Sequence, residues 1–128
     1  MQGRARVGVQ GRAENANAVG NFYACTTHLA AGNGPVALAQ CKDLTNNLIP
    51  AVRAAGGGYA PTAIGGDFNL KFRGSPDVQG CVPGGYYRKG DGDVQHIFAT
   101  TDLAFSSSRK INMSRTDHDA WFVATTAP

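Results

Sequence analysis

The stretch that most constrains this chain is Ala63-Ile64-Gly65-Gly66-Asp67-Phe68-Asn69. Apolar residues lead into two glycines, and a carboxylate and a carboxamide then stand two positions apart. In a strand, residues i and i+2 project to the same side. Asp67 and Asn69 are therefore expected side by side where the strand meets its loop. Hard cations such as Mg²⁺ take oxygen ligands, commonly one or two carboxylates completed by water and substrate phosphate. Gly65 and Gly66 leave room for a close backbone approach. The competing reading is a plain turn, because Asp and Asn side chains hydrogen-bond their own backbone there. On these residues alone the two readings weigh about equally.

A chain of 128 residues amounts to one domain at most. With 42% hydrophobic and 16% charged residues it reads as globular rather than disordered. The net charge of +3 is too small to mark a nucleic-acid binder, though it suits an anionic substrate. Much of the positive charge is local: Arg4, Arg6 and Arg12, then Lys71 and Arg73, Arg88 and Lys89, Arg109 and Lys110. Such clusters usually form a solvated face and occasionally a phosphate track. No apolar run is long enough for a transmembrane helix. Met1 to Arg6 carries charge without the apolar run of a signal peptide, which leaves a mature or excised secreted segment open.

Three cysteines, Cys25, Cys41 and Cys81, show no zinc-type spacing. Three pairings are open. Cys25, mid-strand among aromatics and threonines, is expected to be buried and inert. Cys41 and Cys81 are then the expected disulfide in an oxidising compartment.

In chain order, Arg4 to Gln10 reads as a short strand and Gly11 to Gly20 as a loop. Asn21 to Leu29 is rich in β-favouring residues and ends near His28. Pro35 to Ala55 is the main helix, with Leu38, Cys41, Leu44, Leu48 and Val52 at spacings of three and four. Pro50 should kink or divide it near Ile49, and Gly56-Gly57-Gly58 ends it. Pro61 to Asp67 is the central strand, and Leu70 to Gly92 is mostly loop. Asp93 to Thr100 and Leu103 to Ser106 read as short strands, and Ser107 to Arg115 is polar and basic. Ala120 to Thr126 is a final strand. The pattern is an α/β or α+β layered domain.

Four polar signals sit at predicted strand ends: Thr27-His28, Asp67-x-Asn69, Asp93-x-Gln95-His96 and Asp117-His118. In this order they resemble the endonuclease/exonuclease/phosphatase superfamily, which includes DNase I-like and exonuclease III-like enzymes. The matching pieces are THL at Thr27 to Leu29, GGDFN at Gly65 to Asn69, QHIF at Gln95 to Phe98 and TDH at Thr116 to His118. The resemblance runs from about Phe22 to the C-terminus. It implies a layered α/β sandwich of the DNase I-like type, of which this chain looks like the second half, with one mixed sheet and one main helix. Residues 21–128 would be that C-terminal part, and residues 1–20 a less defined strand and loop.

The activity implied is phosphoester hydrolysis assisted by Mg²⁺ or Mn²⁺, nuclease-like, on nucleic acid or another phosphoester. His118 would act beside the attacking water as general base, or stabilise phosphate. Asp117 would serve the metal or its water shell. Asp67 and Asn69 would position nucleophile and scissile phosphate and share in metal binding. His28 would hydrogen-bond a phosphate oxygen or protonate the leaving group. Two departures stand out. The family's strand motif usually carries an Asp that orients the last His. Gln95 stands there, with Asp93 two residues earlier as a compensating group. The family's metal-binding Glu also has no counterpart before His28, and Glu14, the only glutamate, lacks the surrounding motif.

Two readings of other classes stand beside this one. A non-catalytic binding or assembly module would keep the fold without complete chemistry. A phosphatase or phospholipid phosphodiesterase would run the same chemistry on another substrate. The resembled family builds two packed sheets, and a face carrying Phe22, Ala24, Ile64, Ile97, Phe105, Trp121 and Val123 calls for a second sheet. A separate N-terminal half or a homodimer is therefore expected.

Overall fold

The computed structural model of the chain describes residues 21–126. The strand expected at Arg4 to Gln10, the loop from Gly11 to Gly20 and Glu14 lie outside the described residues. Tyr23–His28 forms strand β1, whose Tyr23, Cys25 and Thr27 are buried while Ala24, Thr26 and His28 are exposed. This period of two reflects a strand covered on one side only.

The predicted helix is present as three consecutive segments. Helix α1 is Gly34–Asp43, a π-helical turn spans Leu44–Leu48, and α2 is Ile49–Ala55. Asn33 caps the start, its Oδ1 accepting from the Val36 N–H at 3.2 Å, and Pro35 sits in the first turn. The expected disturbance at Pro50 takes the form of the π turn just before it. Proline has no N–H for the ladder and its ring crowds the carbonyl four residues back, and a wider turn relieves the conflict without breaking the rod. The apolar stripe meets the core through Cys41, Leu44 and Ile49, with Leu38, Leu48 and Val52 partly buried. At the far end the Tyr23 hydroxyl donates to the Gly58 carbonyl at 2.7 Å and ties the helix terminus to β1.

Strand β2, Thr62–Asp67, pairs parallel to β1, as the intervening helical crossover requires. Two more strands, β3 at Tyr86–Gly90 and β4 at Gln95–Thr100, complete a mixed sheet of order β1-β2-β4-β3. The helix covers one face, over a core that includes Ile64, Phe68, Phe98, Leu29 and Val78, with Phe68 and Phe98 ring centroids 4.7 Å apart. β3 lies inside the stretch expected to be mostly loop. It is a five-residue edge strand bounded by glycines, and its pairing with β4 rather than its own pattern makes it extended.

The expected mixed sheet is present, and a second, two-stranded sheet stands beside it. Strands β5, Phe105–Ile111, and β6, Ala120–Thr125, form a separate antiparallel pair. β5 runs through the polar, basic segment because all seven of its residues are exposed, so burial imposes no apolar alternation on it. Phe105, Trp121 and Val123 therefore belong to this pair and not to the main sheet. Trp121 reaches across to the open face of the main sheet, where its Nε1–H donates to the Lys89 carbonyl at 3.0 Å. Ile64 departs from the expected face as well: it is fully buried on the helix side.

Cys41 and Cys81 form a disulfide, and Cys25 is free and buried, as expected. The bridge joins α1 to a short 3-10 turn, Val78–Cys81, across 40 residues. Closing a loop of that length restricts the unfolded chain by about 4 kcal/mol in the entropic treatment. Replacing Cys41 and Cys81 by Ala is predicted to lower unfolding stability by about 2–4 kcal/mol, read by denaturant titration. A peptide map of the native chain should show only the 41–81 link.

Candidate active site

The candidate site sits at one rim of the main sheet, and strand register assembles it. β1 and β2 run parallel and end together, so His28 and Asp67 are direct register partners. β4 runs the other way and starts at that rim, which places Gln95 opposite Asp67. Paired residues share a face, so His28, Asp67 and Gln95 stand in a row on the side away from the helix.

Gly66 makes this rim possible. Its φ is +153°, and a Cβ there would collide with the Thr27 carbonyl oxygen of β1. Beyond Asp67 the chain turns rather than continuing as a strand, with Asn69 in the left-handed region at φ +50°. Asp67 Oδ1 accepts from the Asn69 N–H at 2.9 Å, and Asn69 Nδ2 donates to the Leu29 carbonyl at 2.7 Å. Asp67 and Asn69 are thus adjacent through the turn chemistry that competed with the strand reading, and not through i, i+2 alternation.

The second oxygen of Asp67 faces two imidazoles. His28 Nε2 lies 3.7 Å and His118 Nε2 3.5 Å from Asp67 Oδ2. Asp117 Oδ2 lies 3.7 Å from the same His118 nitrogen, on a side chain 90% exposed. These separations exceed hydrogen-bond length, so the carboxylates face the imidazoles at ion-pair range without a direct hydrogen bond.

His118 comes from the loop between β5 and β6, which Gln95 and Asp119 hold in place. Gln95 Nε2 donates to the Asp119 carbonyl at 2.6 Å and to Asp91 Oδ2 at 3.1 Å, and Asp119 Oδ1 accepts from the Met113 N–H at 3.1 Å. Gln95 therefore fixes the loop that carries His118 and does not contact the ring, contrary to the expected orienting role. Asp93 does not compensate for it either. It precedes β4 and its carboxylate lies 3.7 Å from Lys71 Nζ. Asp91, which the sequence reading did not single out, is the carboxylate that meets Gln95; which Asp faces the strand depends on the turn's geometry, with Gly92 at φ +91°.

His96, next to Gln95, points to the other face and is 1% exposed. Its Nε2 lies 2.7 Å from the Leu70 carbonyl and its Nδ1 3.1 Å from an Arg88 guanidinium nitrogen. A neutral ring with the proton on Nε2 satisfies both contacts. This histidine braces the Asn69–Leu70 turn from beneath.

The residues expected to hold a metal fit a hard cation in a limited way. Asp67 supplies one carboxylate at the rim, and Asn69 Oδ1 is the amide prong not used on Leu29. Mg²⁺ accepts one or two carboxylates when water and substrate phosphate complete its shell. Among the described residues, no group of three or more His, Cys, Asp or Glu side chains is close enough to hold a metal by itself.

No family model matches the chain, and no curated protein is similar to it in sequence. Its fold has solved relatives. A mannosyl-6-phosphatase from Bacteroides thetaiotaomicron superposes with a TM-score of 0.59 at 13% identity, over 82% of this chain and 51% of that one. An endonuclease/exonuclease/phosphatase family protein from the same organism gives 0.48 and 13%, over 83% and 46%. The chain spans about half the length of the solved structures it matches. Its fold is the layered α/β arrangement of the DNase I-like type, and the relation to these proteins is a distant one of fold.

Two predictions arise from this geometry. Gly66→Ala should destabilise by about 3 kcal/mol or more, at the upper end for point substitutions, because the added Cβ meets backbone that cannot move aside; thermal unfolding would show it. Burial pushes the His96 pKa below its usual value. The unfolded chain then binds more protons than the native one below the ordinary histidine pKa of about 6.5. Stability from this group is complete above that pH and is lost as pH falls toward the folded pKa. Urea midpoints of wild type should therefore fall on acidification below that pH, and a folded His96→Gln variant should lose part of that slope.

Proposed function

We propose that the chain is a phosphoester hydrolase of the DNase I-like fold, carrying one half of the active-site rim. The observation that supports this best is the single carboxylate of Asp67 facing both His28 and His118, at 3.7 and 3.5 Å, on the open rim of the sheet. The fold likeness to a protein named as a mannosyl-6-phosphatase agrees with phosphoester chemistry.

In this reading His118 accepts the proton of the attacking water, and Asp67 Oδ2 holds that imidazole and offsets the charge it gains. Asp117, on the outer side of the same nitrogen, adds to that effect in a solvent-exposed and hence weaker way. His28 donates a hydrogen bond or a proton to the departing oxygen. Asn69, anchored through Leu29, fixes the scissile phosphate against the turn. Mg²⁺ or Mn²⁺ held by Asp67 and Asn69, with Asp117 at its water shell, would supply Lewis-acid stabilisation of charge on the phosphate oxygens. Gln95 and Asp91 keep the His118 loop at the rim, and Asp93 acts on Lys71 instead.

Within this class we favour a nuclease-like substrate, because Lys71, two residues past Asn69, and Arg88, held on His96 beneath the turn, place cations near it. A separate N-terminal half or a second copy would complete the domain. Phe122, Met113 and Ile111, exposed at 50%, 48% and 41%, mark the β5–β6 pair as the face it would cover.

Plasmid nicking and phosphate release by the purified chain, with and without Mg²⁺, test the reading. Activity should require the divalent ion, vanish with EDTA and fall by about 10²–10⁴-fold in His118→Ala. Wild-type chain that binds divalent ions and completes its domain yet cleaves neither substrate would leave the non-catalytic binding module as the correct reading.

A further inference from the structure

Beside the rim, on the helix side of the sheet edge, lies a cavity of about 230 Å³ lined by Phe72, Arg88, Gly90, Gly92, Asp93 and His96. At about 30 Å³ per water it has room for several water molecules or one tetrahedral anion. Phe72 follows the Asp67–Asn69 turn by three residues and is 44% exposed. Two guanidiniums flank it, Arg88 at 4.2 Å and Arg73 at 5.2 Å from the centroid.

Neither arginine has a carboxylate within ion-pair distance among the described residues. Arg88 gives one N–H to His96, while its Nε is buried without a partner. A buried guanidinium N–H without a partner is costly unless something satisfies it. Two carboxylates lie near without pairing with Arg88: Asp77, whose charge acts on it from beyond ion-pair distance, and Asp93, which lines the cavity and lies 3.7 Å from Lys71 Nζ. Arg73 is held close by a left-handed backbone, φ +59°. Two cations against one aromatic ring, one of them lining the cavity and both a few residues or one contact from the reacting turn, form an arrangement that an anion would complete.

We propose that Arg88, Arg73 and Phe72 form a second anion subsite that takes a phosphate group. In the reading above, on which this rests for its role, that group is a phosphate of the substrate other than the one hydrolysed. The ligand class is then a substrate with more than one phosphate, such as a short single-stranded nucleic acid, rather than a simple phosphomonoester. The same chemistry would also hold free inorganic phosphate.

The test is binding, measured in EDTA so that cleavage plays no part. Anisotropy of a fluorescein-labelled single-stranded oligonucleotide of about 12 nucleotides is followed with the full chain and with Arg73→Ala, Phe72→Ala and Arg88→Lys. Inorganic phosphate is titrated separately by calorimetry. Arg73→Ala and Phe72→Ala alter exposed side chains and spare the fold, and circular dichroism checks Arg88→Lys.

For a substrate phosphate, oligonucleotide affinity should fall about tenfold in Arg73→Ala, with the slope of log K against log salt reduced by about one. For a free anion, only the calorimetric binding of phosphate should respond to the same changes, and the subsite stands with the smaller ligand. Wild-type chain that binds neither probe, or variants that bind both as wild type does, would overturn the proposal. Binding that depends on Arg73 in a chain that cleaves nothing would retain the subsite and remove the hydrolase reading.

Discussion

The rim depends on how closely β1 and β2 approach at Gly66. The parallel pairing brings the Thr27 carbonyl to the space that any side chain at position 66 would fill. With that contact in place, His28 falls opposite Asp67, and β4 can add Gln95 on the other side of the same residue. A one-residue slip of either strand would send one of these groups to the helix-covered face. Register, more than any single hydrogen bond, therefore converts three separated stretches of sequence into one row of polar groups.

The core beneath serves the same end. Phe68, between Asp67 and Asn69, is fully buried against Phe98, so the residues on either side of it are turned outward. His96 ties the next residue, Leu70, to β4 from below. The turn is thus held by an aromatic anchor and a buried imidazole while its polar atoms face solvent. Rigid support under an exposed polar turn keeps donors and acceptors in place without their own burial.

Much of this was legible in the sequence, for identifiable reasons. The helix showed through its three-and-four spacing, and β1 through β-branched and aromatic content. The 41–81 disulfide was legible because Cys25 sits where a strand buries it. Strands β3 and β5 were less visible. Both owe their extension to pairing with the strand that follows each, and their own residues are half-exposed or exposed. Side-chain destinations were the least legible. Gln95 and Asp93 lie near the expected positions, but a turn of a few residues decides whether each meets His118, Asp119 or Lys71. The one aspartate that reaches Gln95, Asp91, differs from Asp93 only by its place in that turn.

The exposure of the rim bears on its chemistry. His28 is 60% and Asp117 90% exposed on their side chains, so water screens both against Asp67 and His118. At a surface dielectric, a charge pair near 4 Å is worth far less than the same pair shut away from water. Asp67, only 20% exposed, is the one carboxylate of the cluster already partly withdrawn from solvent. Covering the open side of the sheet would withdraw the imidazoles with it, strengthening their coupling to Asp67 and to any phosphate between them. In the proposed reading, completion of the domain and activation of the rim are then a single event. The half-rim holds its groups in register, and exclusion of water gives their charges effect.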